Sequence, residues 1–360
     1  MSVRRVVDDA RALAFVARVS ARAHGESLLT AARRARRARR EGGWEYTEAL
    51  WDGALDPALT EDERRRCVSN HTATTLRRPL NPEGMSTLTS EKVVFHRYCA
   101  ALGLPTPELY GVLGREGGWS ETGRVIAGAG DFERFMAEDV PEEVIVKPSD
   151  GGHGQGVWVI RRVGGRLVDH DGREHEPAAL YRALVPPRGP ASLMLVQERL
   201  RNHPQVDAIC PSETLQTLRL ITMVDAGGRV HTLFAAIRLG MAGGAVDNFS
   251  NGETGNGFAE ISLSDLRVGP ARFGRPDGAG LMSSPALPDG RPVQGLRLPL
   301  LADARELVER AAPHFLPARS YGWDVALTTR GPMLVEGNFG HGPWSGPGFR
   351  DVVDRMTALL

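Results

Sequence analysis

Hydrophobic and polar positions alternate with two distinct periods along this chain. Thr217-Leu-Arg-Leu-Ile-Thr-Met-Val224 and Val230–Leu239 are rich in β-branched and large apolar residues, and the turn Ala226-Gly-Gly-Arg229 separates them. That pattern predicts a β-hairpin. A second hairpin is predicted from Trp323–Thr328, the turn Thr329-Arg-Gly-Pro332 and Met333–Glu336. Shorter apolar runs predict strands at Leu109–Leu113, Glu143–Lys147, Gly156–Arg161 and Ser192–Glu198. Helical spacing appears at Ser90–Gly103, capped at its start and closed by glycine, at Asp131–Ala137 and at 302–313. Residues 1 to about 80 carry Arg/Ala-rich helical pattern with no strand signal, and the Pro/Gly-rich stretch 264–299 reads as surface loop. The expected class is α+β. A helical N-terminal region (1–85) precedes a first lobe (86–190) with a glycine-rich flap and a second lobe (191–360) that opens at the strand 192–198.

Composition narrows the setting. Length and a 41% hydrophobic content suit a globular protein with a substantial core. Formal net charge is zero, which gives the whole molecule no electrostatic reason to seek nucleic acid or membrane. Cys67, Cys99 and Cys210 are odd in number and widely spaced, so neither a disulfide framework nor a zinc pattern is expected. No apolar run reaches membrane-spanning length and no apolar signal segment follows the first residues, so a cytoplasmic location is expected. In Ala31-Ala-Arg-Arg-Ala-Arg-Arg-Ala-Arg-Arg40, arginines cover most of a helix. A solvated face offset by Glu41, Glu45 and Glu48 is favoured over a basic contact surface, because no aromatics are interleaved for base stacking.

Of 44 basic residues only two are lysines, Lys92 and Lys147. Arginine is a planar fork and lysine a compact point charge, so lysine kept against such a bias suggests an ammonium aimed at single phosphate oxygens. Lys147 directly precedes Asp150-Gly-Gly-His-Gly-Gln-Gly156, whose glycines allow close backbone approach to phosphate. The loop lacks the ending of a Walker P-loop and the spacing of a dinucleotide fold, and it joins two strands. A flap over phosphates or an ordinary turn both fit it. Asp324 opens one strand of the second hairpin, and Glu336 and Asn338 close the other. In an antiparallel pair these three oxygen donors meet at one end, a set suited to Mg²⁺. Arg219 and Arg238 are single charges in apolar strands, and each is either a salt-bridged core arginine or part of a clamp on a transferring phosphoryl group. The polar segment 247–256 is either a substrate loop or an Asx/Gly turn.

Together these pieces resemble the ATP-grasp superfamily, and most closely the sugar-transfer-associated ATP-grasp proteins, over about residues 88–345. The matching fragments are Glu91-Lys92, Gly103-Leu-Pro-Thr-Pro107, Ile145-Val-Lys-Pro148 with its glycine loop, Val196-Gln-Glu-Arg-Leu200, Thr217–Thr222, Ile237-Arg-Leu-Gly240, Val246-Asp-Asn-Phe-Ser250 and Gly322-Trp-Asp…Glu336-Gly-Asn338. The resemblance implies an ATP-grasp fold with two α+β lobes sandwiching ATP. Lys92 and Lys147 would hold phosphates beneath a flap containing Gly151, Gly152, His153, Gly154 and Gly156. Gln197, Glu198 and Leu200 would line the adenine pocket, and Asp324, Glu336 and Asn338 would carry two Mg²⁺ ions. Arg238 and Arg219 would stabilise the γ-phosphate and an acyl-phosphate. The implied activity is an ADP-forming ligase that activates a small-molecule or peptide carboxylate and joins it to an amine. Many such ligases begin with a βαβ domain, whereas this chain begins with helices. Gln216 also stands where the group more often has Asn, and Glu253 where a second glycine is common. Two other readings remain: a kinase acting on a hydroxyl or on a histidine such as His153 or His341, and a non-catalytic nucleotide sensor whose Arg-rich arm recruits a partner.

Overall fold

The computed structural model describes residues 3–151, 156–186, 193–241, 246–249, 254–342 and 349–360, with side chains from residue 7 onward. The helices are α1 (Val3–His24), α2 (Leu28–Gly42), α3 (Tyr46–Trp51), α4 (Glu61–Arg66), α5 (Asn70–Arg77), α6 (Thr87–Ser90), α7 (Lys92–Ala101), α8 (Ala129–Glu138), α9 (Pro177–Leu184), α10 (Pro204–Ile209), α11 (Leu301–Ala311) and α12 (Phe349–Ala358). The strands are β1 (Leu109–Leu113), β2 (Gly118–Ser120), β3 (Val125–Ile126), β4 (Glu143–Pro148), β5 (Trp158–Val163), β6 (Arg166–Val168), β7 (Glu174–His175), β8 (Met194–Glu198), β9 (Thr217–Val224), β10 (Val230–Leu239), β11 (Gly257–Ile261), β12 (Val268–Gly274), β13 (Leu281–Ser284), β14 (Ser320–Thr328) and β15 (Gly331–Asn338).

The strands form two antiparallel sheets, ordered β3-β2-β1-β8-β4-β5-β6-β7 and β13-β12-β11-β10-β9-β14-β15. Side-chain alternation sets what each face meets. In the first sheet Val144, Val146, Ile160 and Val196 pack against Phe132 and Phe135 of α8 and Leu180 and Leu184 of α9. In the second, Leu218, Leu220, Ile237, Tyr321, Trp323 and Val325 share a core with α11 and with Phe95 and Cys99 of α7. The opposite face, at Ile221, Met223, Phe234 and Ala236, is covered by Ala73 of α5 and by Phe349, Val352 and Val353 of α12.

Three expectations change. The strand 194–198 does not open the second lobe: β8 pairs with β1 and β4 inside the first sheet. The stretch 264–299 is not all loop, because it contributes β12 and β13 to the edge of the second sheet. Asp324 sits midway along β14, which starts four residues earlier at Ser320.

The N-terminal region is helical as expected, with local chemistry fixing the ends. Ser27 caps α2 by accepting from Thr30 N, and Gly43 ends it at φ 68°. Thr60 and Glu63 form a capping box on α4. Trp44, Leu50 and Leu55 pack with Val16 of α1 and reach Ala279 beside β13, which anchors these helices to the second sheet. The arginines of α2 pair with Glu41 and Glu45, and also with Glu26, Asp9 and Glu61. Glu48 instead accepts backbone N–H groups of Glu45 and Asn70. Cys67, Cys99 and Cys210 are free and buried. Among the described residues no helix is long and apolar enough to cross a membrane.

Candidate active site

The two sheets face each other across a cleft of about 590 Å³. Ile145, Val157, Val159, Leu200, Leu215 and Val335 give its lining an apolar stretch, with Arg161, Arg199 and Glu213 on the same lining. Gln197 and Glu198 border it from the end of β8. The Glu198 carboxylate accepts from Glu108 N at 3.2 Å and pairs with Arg330, so its side chain is partly committed within the protein.

Lys92, Lys147, Arg219, Arg238, Asp324 and Glu336 give the same lining a second concentration of charge. Lys147 follows Ile145 by two positions on β4, so strand alternation turns it to the cleft face. Burial pushes its ammonium down to about 8, with Glu336 nearby opposing that fall and Lys92 adding to it. Lys92 begins α7, where its backbone N–H donates to Ser149 O at 2.9 Å. Its Nζ donates to Gly151 O at 2.7 Å and lies 3.5 Å from Glu336 Oε1. Glu91 accepts from Ser149 Oγ at 2.7 Å, a second tie between the start of α7 and the loop after β4. The loop glycines Gly151 (φ 84°) and Gly156 (φ 72°) adopt left-handed backbone. Gly152, His153 and Gly154 lie outside the described residues.

Arg219, Arg238 and Asp324 meet on the second sheet. Asp324 is the direct cross-strand partner of Arg219. It accepts from Arg219 Nε at 2.7 Å and Nη2 at 3.3 Å, and from Arg238 Nη1 at 3.0 Å. Burial alone would raise the Asp324 carboxyl, but the two guanidinium groups outweigh it and hold the group below the usual carboxylate range. Asp247, which sequence reasoning left without a role, joins them. It accepts from Thr217 N at 2.7 Å and Thr217 Oγ1 at 2.6 Å and lies 3.7 Å from Arg238. In the sequence it opens the polar segment 247–256 and falls in the matching fragment Val246–Ser250, with no role of its own. For Asp247 burial wins, and its carboxyl is raised.

Glu336 reaches Asp324 through a β-bulge. The register moves from Asp324↔Glu336 to Val325↔Leu334, which leaves Val335 unpaired. Val335 and Glu336 therefore both line the cleft, while Leu334 enters the core behind. Asn338 pairs with Gly322, and its amide lies 3.5 Å from Asp324 Oδ2. Two carboxylates and one amide form a hard-oxygen donor set of the kind a divalent cation takes when phosphate completes its shell. Among the described residues no cluster of three His, Cys, Asp or Glu offers an all-protein metal site. The donor chemistry thus fits Mg²⁺ shared with a nucleotide.

Side chains from the N-terminal region fasten this hairpin. Asn81 donates to Ser320 O at 2.7 Å and Phe339 O at 3.0 Å, and accepts from Ser320 N at 3.0 Å. Arg77 donates to the His341 carbonyl. Neither residue had a recognisable sequence signal.

A family profile described as sugar-transfer associated ATP-grasp matches residues 71–345. The chain belongs to that family, and its superfamily consists typically of ATP-dependent carboxylate–amine ligases. Among solved structures it is similar to D-alanine–D-alanine ligase from Bacillus anthracis, with 12% identity and a TM-score of 0.40 over 78% of this chain and 69% of that one. It is also similar to biotin carboxylase from Campylobacter jejuni, with 13% identity and a TM-score of 0.42 over 78% and 48%. The RimK domain ATP-grasp protein from Sphaerobacter thermophilus gives 15% identity and a TM-score of 0.38 over 77% and 70%. The chain spans 69% and 59% of two D-alanine–D-alanine ligases that it matches. No curated protein matches the chain.

Proposed function

We propose that the protein is an ADP-forming ligase that activates a carboxylate as an acyl-phosphate and passes the acyl group to an amine. The observation that supports this most directly is the Arg219–Asp324–Arg238 cluster beside two lysines, in a cleft that also presents an apolar stretch. In this reading adenine lies against Ile145, Val159 and Leu200, with Gln197 and Glu198 at its polar edge. Lys92 and Lys147 bind phosphate oxygens from α7 and β4. Asp324, Glu336 and Asn338 would hold Mg²⁺, which neutralises phosphate charge when bound.

A carboxylate oxygen of the acid attacks the γ-phosphorus, the bond to the bridging oxygen breaks, and ADP leaves with that electron pair. The amine nitrogen then attacks the acyl carbon, phosphate departs, and the amine proton passes to solvent. Arg219 and Arg238 orient and neutralise the oxyanions in both steps, because positioning and charge neutralisation are what this chemistry needs. Asp247 and Thr217 fix the Arg238 guanidinium from behind.

Phosphorylation of His341 fits the site less well. Its Nε2 is engaged by Ser320 at 2.8 Å, and the ring is buried. The test is incubation with ATP, Mg²⁺, a pool of carboxylates and hydroxylamine. ADP and a hydroxamate are expected. A stable phosphorylated metabolite or phosphoprotein without hydroxamate would overturn ligation in favour of a kinase, and tight ATP binding without turnover would favour a sensor.

A further inference from the structure

The zero formal charge of the chain hides an uneven distribution. Residues 1–42 hold eleven arginines and four acids, whereas the rest of the chain holds 33 basic residues and 40 acids. Such separation gives one region an electrostatic reason to seek an anionic surface that the whole molecule lacks. Within α1 and α2 the charge is sorted again. Arg34, Arg37, Arg39 and Arg40 are paired with Glu26, Glu41, Glu61, Asp9 and Glu45. Arg11, Arg18, Arg22, Arg33 and Arg36 are exposed, and among the described residues none of them has a carboxylate partner. Asp8 is the one exposed acid on α1.

These five arginines share their faces with apolar side chains. Val7, Arg11, Phe15, Arg18 and Arg22 form one stripe along α1, and Leu29, Arg33, Arg36 and Arg40 form one along α2. Val7, Phe15, Leu28 and Leu29 are 43–56% exposed. Every other phenylalanine of the chain is buried or partly so. Phe15 thus supplies, from the neighbouring helix, the aromatic ring that α2 lacks. The opposite sides of the helices hold them to the molecule: Ala17 and Ala21 pack on Ala31, while Val16 and Ala35 join Trp44 in the core beneath. Arg34 reaches Ser20 and Arg39 reaches Asp9, so α2 runs back along α1. Both stripes therefore look outward.

The mixture of unpaired cations and exposed aliphatic groups selects its occupant. A second copy of this face would set arginine against arginine. Nucleic acid would satisfy the arginines, but it offers Val7, Leu28 and Leu29 no apolar partner, and one ring is a poor stacking platform. A lipid surface with anionic headgroups meets both needs. Guanidinium groups take phosphate oxygens in pairs while their stems lie along the acyl boundary, and the apolar side chains enter it. Among the described residues no helix is apolar enough to span a bilayer, so the contact is peripheral.

We infer that the outer face of the α1–α2 hairpin docks the protein on an anionic membrane surface, its apolar side chains entering the headgroup boundary and its five unpaired arginines binding lipid phosphates. No residue of these helices lines the cleft, and the assignment does not rest on the ligase reading.

The test is co-sedimentation of the full chain with two kinds of vesicle, phosphatidylcholine alone and equimolar phosphatidylcholine and phosphatidylglycerol. Binding to the anionic vesicles is expected, weakened by salt, with none to the neutral ones. Each basic side chain near such a surface strengthens binding about fivefold, so replacing Arg11, Arg18 and Arg22 together by Gln should lower vesicle affinity about a hundredfold. Phe15→Ser should lower it about tenfold with the charge unchanged. All four side chains are exposed, so thermal unfolding and ATP affinity should stay at wild-type values, which separates lost docking from lost fold. No binding of the wild-type protein to anionic vesicles, equal binding to neutral ones, or an affinity indifferent to Phe15→Ser overturns the docking face. Tight retention of single-stranded RNA without vesicle binding overturns it in favour of nucleic acid. Self-association abolished by Phe15→Ser, again without vesicle binding, overturns it in favour of an interface between copies.

Discussion

Arg219 and Asp324 face each other directly across β9 and β14, and the guanidinium grips the carboxylate through Nε and Nη2. Both residues are buried, so neither charge is tolerable without the other. The pair therefore does two tasks. It neutralises charge inside the second sheet, and it presents an oriented cation and anion to the cleft.

Asp324→Asn leaves Arg219 and Arg238 without their shared counterion. A loss of about 3–5 kcal/mol in unfolding free energy is expected, measured by chemical denaturation. The sign with pH follows from the depressed carboxyl. Its stabilisation is present above the ordinary aspartate value and disappears as pH falls through the folded-state value. The wild-type protein should lose stability more steeply than the variant below about pH 4. Parallel acid-unfolding curves would contradict this.

Lys147, held near 8 by burial, should gain a proton when phosphate arrives. Calorimetry of ATP binding at pH 8 in buffers of different ionisation enthalpy should show uptake of roughly half a proton. In the free protein the sign is opposite. The unfolded chain binds this proton more tightly, so the lysine's contribution to stability rises between about pH 8 and pH 10.5. Lys147→Arg should remove the uptake and abolish turnover with the fold intact.

Glu336→Gln keeps the shape of the bulge but removes one of two carboxylates in the proposed Mg²⁺ set. ATP affinity should lose most of its Mg²⁺ dependence, read by titration with and without the metal. An unchanged dependence would place the cation elsewhere.

Gly322→Ala introduces a methyl where His341 Cβ and Arg219 Nη1 already stand at 2.8 and 3.1 Å. The neighbours are a packed ring and a tethered guanidinium, so the strand must shift. A destabilisation of about 1–3 kcal/mol is expected in thermal unfolding, with a larger fractional loss of turnover than of ATP affinity.

The legible parts of this molecule are those written in local pattern. The β9–β10 hairpin, the β14–β15 hairpin, α7 with its closing Gly103 and the helical N-terminus each announce themselves through periodicity and turn residues, although α7 starts at Lys92 after an uncapped Glu91 and Ser90 belongs to α6. Local pattern does not say which sheet a strand joins, so β8 was placed in the wrong lobe. The edge strand β13 buries little, and β12 carries Gly and Pro between its buried Val268, Ala271 and Phe273, so both resemble loop. At the site, Lys92, Lys147, Arg219, Arg238, Asp324, Glu336 and Asn338 were readable by residue type, and the structure gathers them on the lining of the cleft. The Val335 bulge, the Asp247–Thr217 brace and the Asn81, Arg77 and Ser320 contacts were not readable. Each depends on residues brought together only by the fold.

Asn81 has a consequence for how such a chain can be divided. One amide bonds the beginning of β14 and the segment just after β15, so the geometry of the hairpin is completed by a residue upstream of its motifs. A chimera joining the helical preface of one such protein to the cleft of another would have to match at this amide and at Arg77. Swapping the two halves as independent cassettes should fail at that seam, however well each half folds.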